Sequence, residues 1–231
     1  AGDLNHDDIV SMVEESFQGW PKVRARKYIP ADDVQKEPRI KIEKRNTEQV
    51  HLCLGVKGIA VGDSDRHKLD LLNVVLGGGM SSRLNQELRE KRGLVYDVDS
   101  YIDYYLDSGA ITIYAGVDPK NVRDAVSAII EELAKLKDNV GASELTKVKE
   151  LVKGRLLLGM EDTRSVASWA GRQEILTGQV LTVDDVVSIV DSIQAEDLAE
   201  IAERLFKTNN ISISMVGPVS SERRFLKLLR F

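Results

Sequence analysis

The side chains that could ligate a metal or move a proton are few in this chain, and they are scattered. Three histidines, His6, His51 and His67, and one cysteine, Cys53, are spread over 231 residues. His51 and Cys53 lie two apart in the apolar run Val50-His-Leu-Cys-Leu54, so in a strand they point to the same side. A Cys/His metal site needs further ligands, and the surrounding sequence suggests none. Cys53 reads as a small buried hydrophobe. Asp63-Ser-Asp-Arg-His67 is rich in carboxylate and could hold a cation, but it reads first as a turn entering a helix. Neither H-x-x-E-H nor H-E-x-x-H, the helical spacings that bring two histidines and a glutamate to zinc, occurs. Gly77-Gly-Gly79 follows a helical pattern and lacks a G-K-[ST] ending. It therefore reads as a helix stop and a flexible turn, not as a phosphate loop.

The elements around these residues follow from spacing. Ile9, Met12, Val13 and Phe17 keep helical periodicity over residues 3–17, with Asp3 or Asn5 as cap, and Ala1-Gly2 read as the end of a strand. Gly19 to Pro38 carries three prolines among charged residues and reads as a linker. Arg39-Ile-Lys-Ile-Glu43 predicts an edge strand and residues 49–56 a more buried one. Residues 65–76 predict a helix, stopped by the glycines. Ser81 or Ser82 is placed to cap a second helix that runs to Lys91 and stops at Gly93.

A hairpin is predicted over 95–117, turning at Leu106-Asp-Ser-Gly109. Parity along its first arm puts Tyr96, Val98, Ile102, Tyr104 and Leu106 on a buried face and Asp97, Asp99, Asp103 and Asp107 on a wet one. Asp118-Pro119 reads as a cap with proline in the first helical turn. Helices are expected at about 143–160, 163–177, 183–191 and 195–206, then a strand over 210–216 and a last helix over 220–229. Thr182 and Asp185 have capping-box spacing, and Gly178 is a helix stop. The resulting fold class is α+β, a largely antiparallel sheet with helices packed on one face.

One ordered series is far more specific than any short pattern. It runs from Glu48-Gln-Val-His-Leu52 through Leu71-Leu-Asn-Val-Val-Leu-Gly-Gly-Gly-Met-Ser-Ser-Arg-Leu84 and Leu88-Arg-Glu-Lys-Arg-Gly-Leu-Val-Tyr96 to Asp107-Ser-Gly-Ala-Ile-Thr-Ile-Tyr-Ala115. The series resembles the C-terminal, non-zinc half of the pitrilysin/insulinase family of zinc metallopeptidases (inverzincins), in the bacterial branch similar to the mitochondrial processing peptidase. That resemblance implies a zinc-dependent endopeptidase in which two halves close around an unfolded peptide. The other half would carry H-x-x-E-H and the zinc, and this half would hold neither metal nor catalytic residues.

The same resemblance assigns roles to residues. Arg89 and Tyr96, seven apart, would contact the substrate backbone, and both are hydrogen-bond donors to carbonyl oxygen. The turn Gly78-Gly79 and Ser81-Ser82 would border the substrate cleft. The row Asp97, Asp99 and Asp103 would either be a wet sheet face or line the cavity and favour basic substrates. Residues 1–30 would be the C-terminal remnant of the preceding zinc-binding domain, 31–37 a linker, and 38–231 the substrate-binding domain. Expected partners are a peptide substrate, the N-terminal zinc domain of the same protein, and a second copy or paired subunit. The alternative is half of an inactive family member that acts as a partner subunit or peptide-binding module.

Composition sets outer bounds. A net charge of -5 and a pI near 5.4 argue against a nucleic-acid surface. No apolar run approaches bilayer length, so no membrane span is expected. A single cysteine forms no internal disulfide, which permits a reducing compartment, and the cytoplasm is favoured.

Overall fold

The computed structural model describes residues 1–24, 28–32, 34–220 and 222–230; linker positions 25–27 and 33 lie outside that description. Strict alternation makes the sheet. In β2 (Val50–Lys57) Val50, Leu52, Leu54 and Val56 point inward and are buried, while His51 is exposed. β4 (Gly109–Val117) does the same with Ile111, Ile113 and Ala115, and β5 (Ile211–Gly217) with Ile211, Ile213 and Met215. With β1 (Arg39–Lys44) and β3 (Val95–Tyr104) they form one sheet ordered β1-β5-β2-β4-β3. All pairings are antiparallel except β1 with β5. Each fully buried leucine contributes about 2 kcal/mol by transfer from water.

The helices cover the inward face. α2 (Arg66–Gly77), α3 (Val122–Asp138) and α7 (Ala195–Leu205) bury their apolar stripes there. α4 (Ala142–Gly159), α5 (Thr163–Thr177), α6 (Val183–Ser192) and α8 (Glu222–Leu226) form the outer parts. The Thr182–Asp185 capping box is present, and Gly178 ends α5 at φ 67°. The α+β class expected from the pattern is the observed one.

Four local readings change. α3 begins at Val122 rather than at Pro119; Asp118 instead closes the turn before it, accepting from the Lys120 amide at 3.0 Å. β3 ends at Tyr104, so Leu106 lies in the turn and is half exposed. Ala1 and Gly2 are irregular rather than strand. The segment after the glycines winds as a π-helix, Asn85–Lys91, not as an ordinary α-helix.

β3 is an edge strand, and its outer side is sealed by α2 and the π-helix rather than by another strand. Asn73 Nδ2 donates to the Ser100 carbonyl at 3.2 Å, and Ser100 Oγ donates back to the Asn73 carbonyl at 3.2 Å. Buried Asn85 donates to the Val98 carbonyl at 3.1 Å. These bonds satisfy edge groups that would otherwise be unpaired. Gly77 makes the approach possible: a Cβ there would lie 2.6 Å from the Ser100 backbone nitrogen.

α1 (His6–Phe17) is capped by Asn5, whose side chain accepts from the Asp7 and Asp8 amides. It buries no residue: Met12, Val13 and Phe17 are each more than half exposed. The following segment is tied down at Ala31, whose amide donates to Asp107, and at Gln35, whose side chain bonds the backbone of Asn209 and Ile211.

Two outcomes follow. Gly77→Ala should cost about 2–3 kcal/mol, because backbone rather than a flexible side chain must yield, and Asn85→Ala about 1–3 kcal/mol for the stranded Val98 carbonyl; urea unfolding measures both. Deleting residues 1–30 should leave the remaining domain folded with a nearly unchanged melting temperature. The deletion should also reduce self-association seen by light scattering, since it removes an exposed apolar stripe. Outright unfolding would place α1 inside the domain.

Candidate functional site

The two donors singled out by the sequence sit on the two irregular stretches of backbone beside the β3 edge. Arg83 anchors the start of the first stretch, forking onto Glu144 of α4 at 3.0 and 2.8 Å. The π winding then closes with the Arg92 amide bonded to the Glu87 carbonyl. Gly93 follows in the left-handed region at φ 58°, and the Leu94 amide reaches the Leu88 carbonyl at 2.8 Å. Glu87 is taken by Lys91 and then Arg92, which hold its carboxyl below the usual range. Arg92 also bonds Glu131. Arg89 is left out of this network: its side chain is exposed, and the nearest carboxylate, Glu90, is 4.0 Å away.

Tyr96 corrects the parity argument. A register shift between Val95 and Asp97 makes it the extra residue of a β-bulge, and 75% of its surface is exposed. A bulge re-aims a side chain in this way. Val95 and Val98 both face the core across the shift, and Tyr96 does not join them.

The remaining candidates gather elsewhere. Gly78, Gly79, Ser81 and Ser82 line a cavity of about 400 Å³ against Ser143, Glu144 and Lys147 at the start of α4. Ser82 is buried, but its hydroxyl has no hydrogen-bond partner among the described residues, so it is not a side-chain cap. The Gly78 carbonyl accepts from Arg155 at 3.0 Å. Tyr96 borders a different cavity, also about 400 Å³, with Glu48, Gln49, Asp118 and Lys120. Arg89 lines neither. The structure thus brings four of the six residues together and keeps Arg89 and Tyr96 apart from them.

The open sheet face carries the other candidates. Asp97, Asp99 and Asp103 are exposed there, as parity predicts. His51 Nδ1 is 2.8 Å from the Tyr114 hydroxyl, and partial burial pushes the Cys53 thiol up. Asp63 and Asp65 are both engaged by Arg204 at 2.7 Å, so they are neutralised by protein. The three histidines lie on separate elements, and among the described residues no group of three or more His, Cys, Asp or Glu could hold a metal. These residues do not fit a zinc site. Among the described residues no helix is long and apolar enough to cross a membrane.

A further cavity, about 710 Å³, lies between α2, the end of β3, α4, α5 and α6. Sequence reasoning missed it. Asp70 projects into it, and its carboxylate accepts from the Tyr104 hydroxyl at 2.8 Å. Removal from bulk water raises Asp70 and also raises Tyr104. His67 Nδ1 is 3.7 Å from the second Asp70 oxygen; burial and then the Arg66 charge lower its pKa, which favours the neutral ring. Trp169, Leu156 and Val190 add apolar wall.

A sheet backed by helices, with a glycine turn and a π-helix at one edge, defines an α+β domain. The family model for the peptidase M16 inactive domain matches residues 1–152, and the chain belongs to that family, as its inactive C-terminal domain. It is 42% identical to the uncharacterized zinc protease YmxG of Bacillus subtilis (strain 168), over 76% of this chain and 43% of that one. It is 33% identical to an uncharacterized zinc protease of Mycobacterium leprae (strain TN), over 100% of this chain and 52% of that one. The chain therefore spans about half the length of these relatives. Among solved structures, the peptidase M16 inactive domain from Pseudomonas fluorescens aligns with a TM-score of 0.86 at 22% identity, over 95% of this chain and 53% of that one. A subunit chain of complex III2 from Candida albicans aligns with a TM-score of 0.79 at 16% identity, over 100% and 57%. At such identities the likeness is one of fold.

The Asp70 cavity yields a stability prediction. A carboxyl whose folded-state pKa is raised stabilises the fold at low pH and loses that contribution as pH rises past its unfolded value. At pH 7 Asp70 is a net burden, while an asparagine can still accept from Tyr104. Asp70→Asn should therefore raise the melting temperature at pH 7. The gain should shrink as pH falls toward the ordinary carboxylate range, a trend that thermal melts across pH will check.

Proposed function

We propose that this domain is the substrate-contacting, zinc-free half of a zinc metalloendopeptidase. In this reading it binds an unfolded peptide and closes a chamber against the N-terminal zinc domain of the same protein. One observation carries the reading. The two donors expected to face substrate, Arg89 and Tyr96, are both exposed, and each is displayed by a backbone irregularity, a π-helix and a β-bulge. Such irregularities aim side chains at the cost of regular packing, and they cluster at functional positions. Donors directed at a peptide carbonyl stabilise the negative charge that develops on its oxygen during hydrolysis. The exposed apolar stripe of α1 suits packing against the preceding domain. The glycine turn and Ser81-Ser82 would border the cleft. Zinc would be held wholly by the other half, and the isolated chain is expected to hydrolyse nothing.

The test needs the full-length protein with its zinc domain. Arg89→Ala and Tyr96→Phe should each lower kcat/KM by a factor of ~10², the usual loss for one transition-state donor. Melting temperatures should stay close to wild type, since both side chains are exposed. Unchanged kinetics in both variants would return the pair to ordinary surface residues.

A further inference from the structure

The cavity between the glycine turn and the start of α4 holds a polar group that the fold leaves unanswered. Ser82 is 4% exposed and lines this cavity of about 400 Å³, and its hydroxyl has no hydrogen-bond partner among the described residues. A buried hydroxyl left unpaired is costly, so its position calls for something that enters the cavity and bonds it. The space is larger than a single water fills. A second wall is the start of α4, which has no side-chain cap. Its N-cap is Gly141, and Ser143 and Glu144 of its first turn line the cavity. The first amides of a helix lack intrahelical partners, and the aligned peptide dipoles make that end positive, so it draws an anion.

The charges point the same way. Two charged side chains line the cavity, Glu144 and Lys147, both from α4; α2 and the glycine turn contribute none. Both Glu144 oxygens are taken by Arg83, at 3.0 and 2.8 Å, so that pair is neutral. Lys147 makes no ion pair among the described residues, and its charge is left over. One uncompensated ammonium, an uncapped helix start and the hydroxyls of Ser81, Ser82 and Ser143 suit a monoanion. A phosphate group carries more charge and is usually met by an arginine fork, which this lining lacks. Val74, Val148 and Leu151 add apolar wall beside the polar groups. The ligand that matches both halves has a carboxylate next to a small apolar side chain, which is the end of a peptide chain.

We propose that this cavity receives the C-terminal residue of a bound peptide, with its carboxylate on Ser82, Lys147 and the start of α4 and its side chain against Val74, Val148 and Leu151. The choice of a peptide as the source of the carboxylate rests on the reading of the glycine turn as a border of the substrate cleft. The pocket itself uses neither Arg89 nor Tyr96.

The probes are N-acetyl-alanyl-valine and its C-terminal amide, titrated into this chain at fixed ionic strength and followed by the NMR shifts of the Ser82 and Ser143 amides. The acid should bind saturably in roughly the millimolar range, as fits a ligand of this size. The amide, acetate and inorganic phosphate should each bind at least about tenfold more weakly. Ser82→Ala and Lys147→Gln should each weaken the acid by about fivefold or more and narrow its advantage over the amide. Neither should lower the melting temperature, since one removes an unpaired hydroxyl and the other an exposed charge. Equal binding of acid and amide, unchanged affinity in both variants, or no saturable shift at Ser82 and Ser143 would overturn the proposal. Phosphate or acetate binding as tightly as the acid would make this a site for free anions and would overturn it too. The titration needs no turnover, so its failure is distinct from normal kinetics in the Arg89 and Tyr96 variants.

Discussion

The close contact of the α2 C-terminus with the outer edge of β3 is the constraint from which the rest of this domain follows. Gly77 sits directly against the Ser100 backbone, with Asn73 and Ser100 exchanging hydrogen bonds beside it. An edge strand invites pairing with another chain. Here its central carbonyls are capped by asparagine side chains. The seal also fixes where the chain must go next. It leaves α2 in a glycine turn at the sheet edge and then re-enters β3 through the π-helix. The substrate-facing candidates all lie on that short return path.

The same constraint accounts for the irregular backbone. Between Ser82 and Val95 the chain must place Leu84, Leu88 and Val95 in the core and Asn85 on the Val98 carbonyl. The wider π winding and the bulge absorb the mismatch between these anchors. Arg89 and Tyr96 fall on the residues left over, which is why they are free to face outward. Stability is carried by the buried anchors, so the exposed donors can serve another purpose without weakening the fold.

Much of this was legible in the residues. Alternation in β2, β4 and β5 gave the sheet and its buried face, and cap chemistry gave Thr182, Gly178 and Gly93. What failed did so for physical reasons. Parity assumes one residue per register step, so it could not place Tyr96 across a bulge. Helical spacing does not distinguish α from π over seven residues, so the winding at Asn85–Lys91 was missed. Ser82 has the residue type of a cap, but its hydroxyl is buried away from the amides. The cavity left a fainter trace: Asp70 and Asn73 interrupt the apolar run Leu69–Leu76. Both interruptions have structural partners, Asn73 on the β3 edge and Asp70 on Tyr104, that no local pattern reveals.

The two interruptions divide the roles of α2. Asn73 donates through Nδ2 to the Ser100 carbonyl of β3, so that half of its amide contributes to the fold, while its Oδ1 is buried with no hydrogen-bond partner among the described residues. Asp70, one turn earlier, accepts from the Tyr104 hydroxyl at 2.8 Å and lies 3.7 Å from the His67 ring, so its polarity is answered by side chains, one of them at the end of β3, rather than by the backbone of the strand. Both residues thus tie α2 to β3, one through a main-chain carbonyl and the other through a phenol.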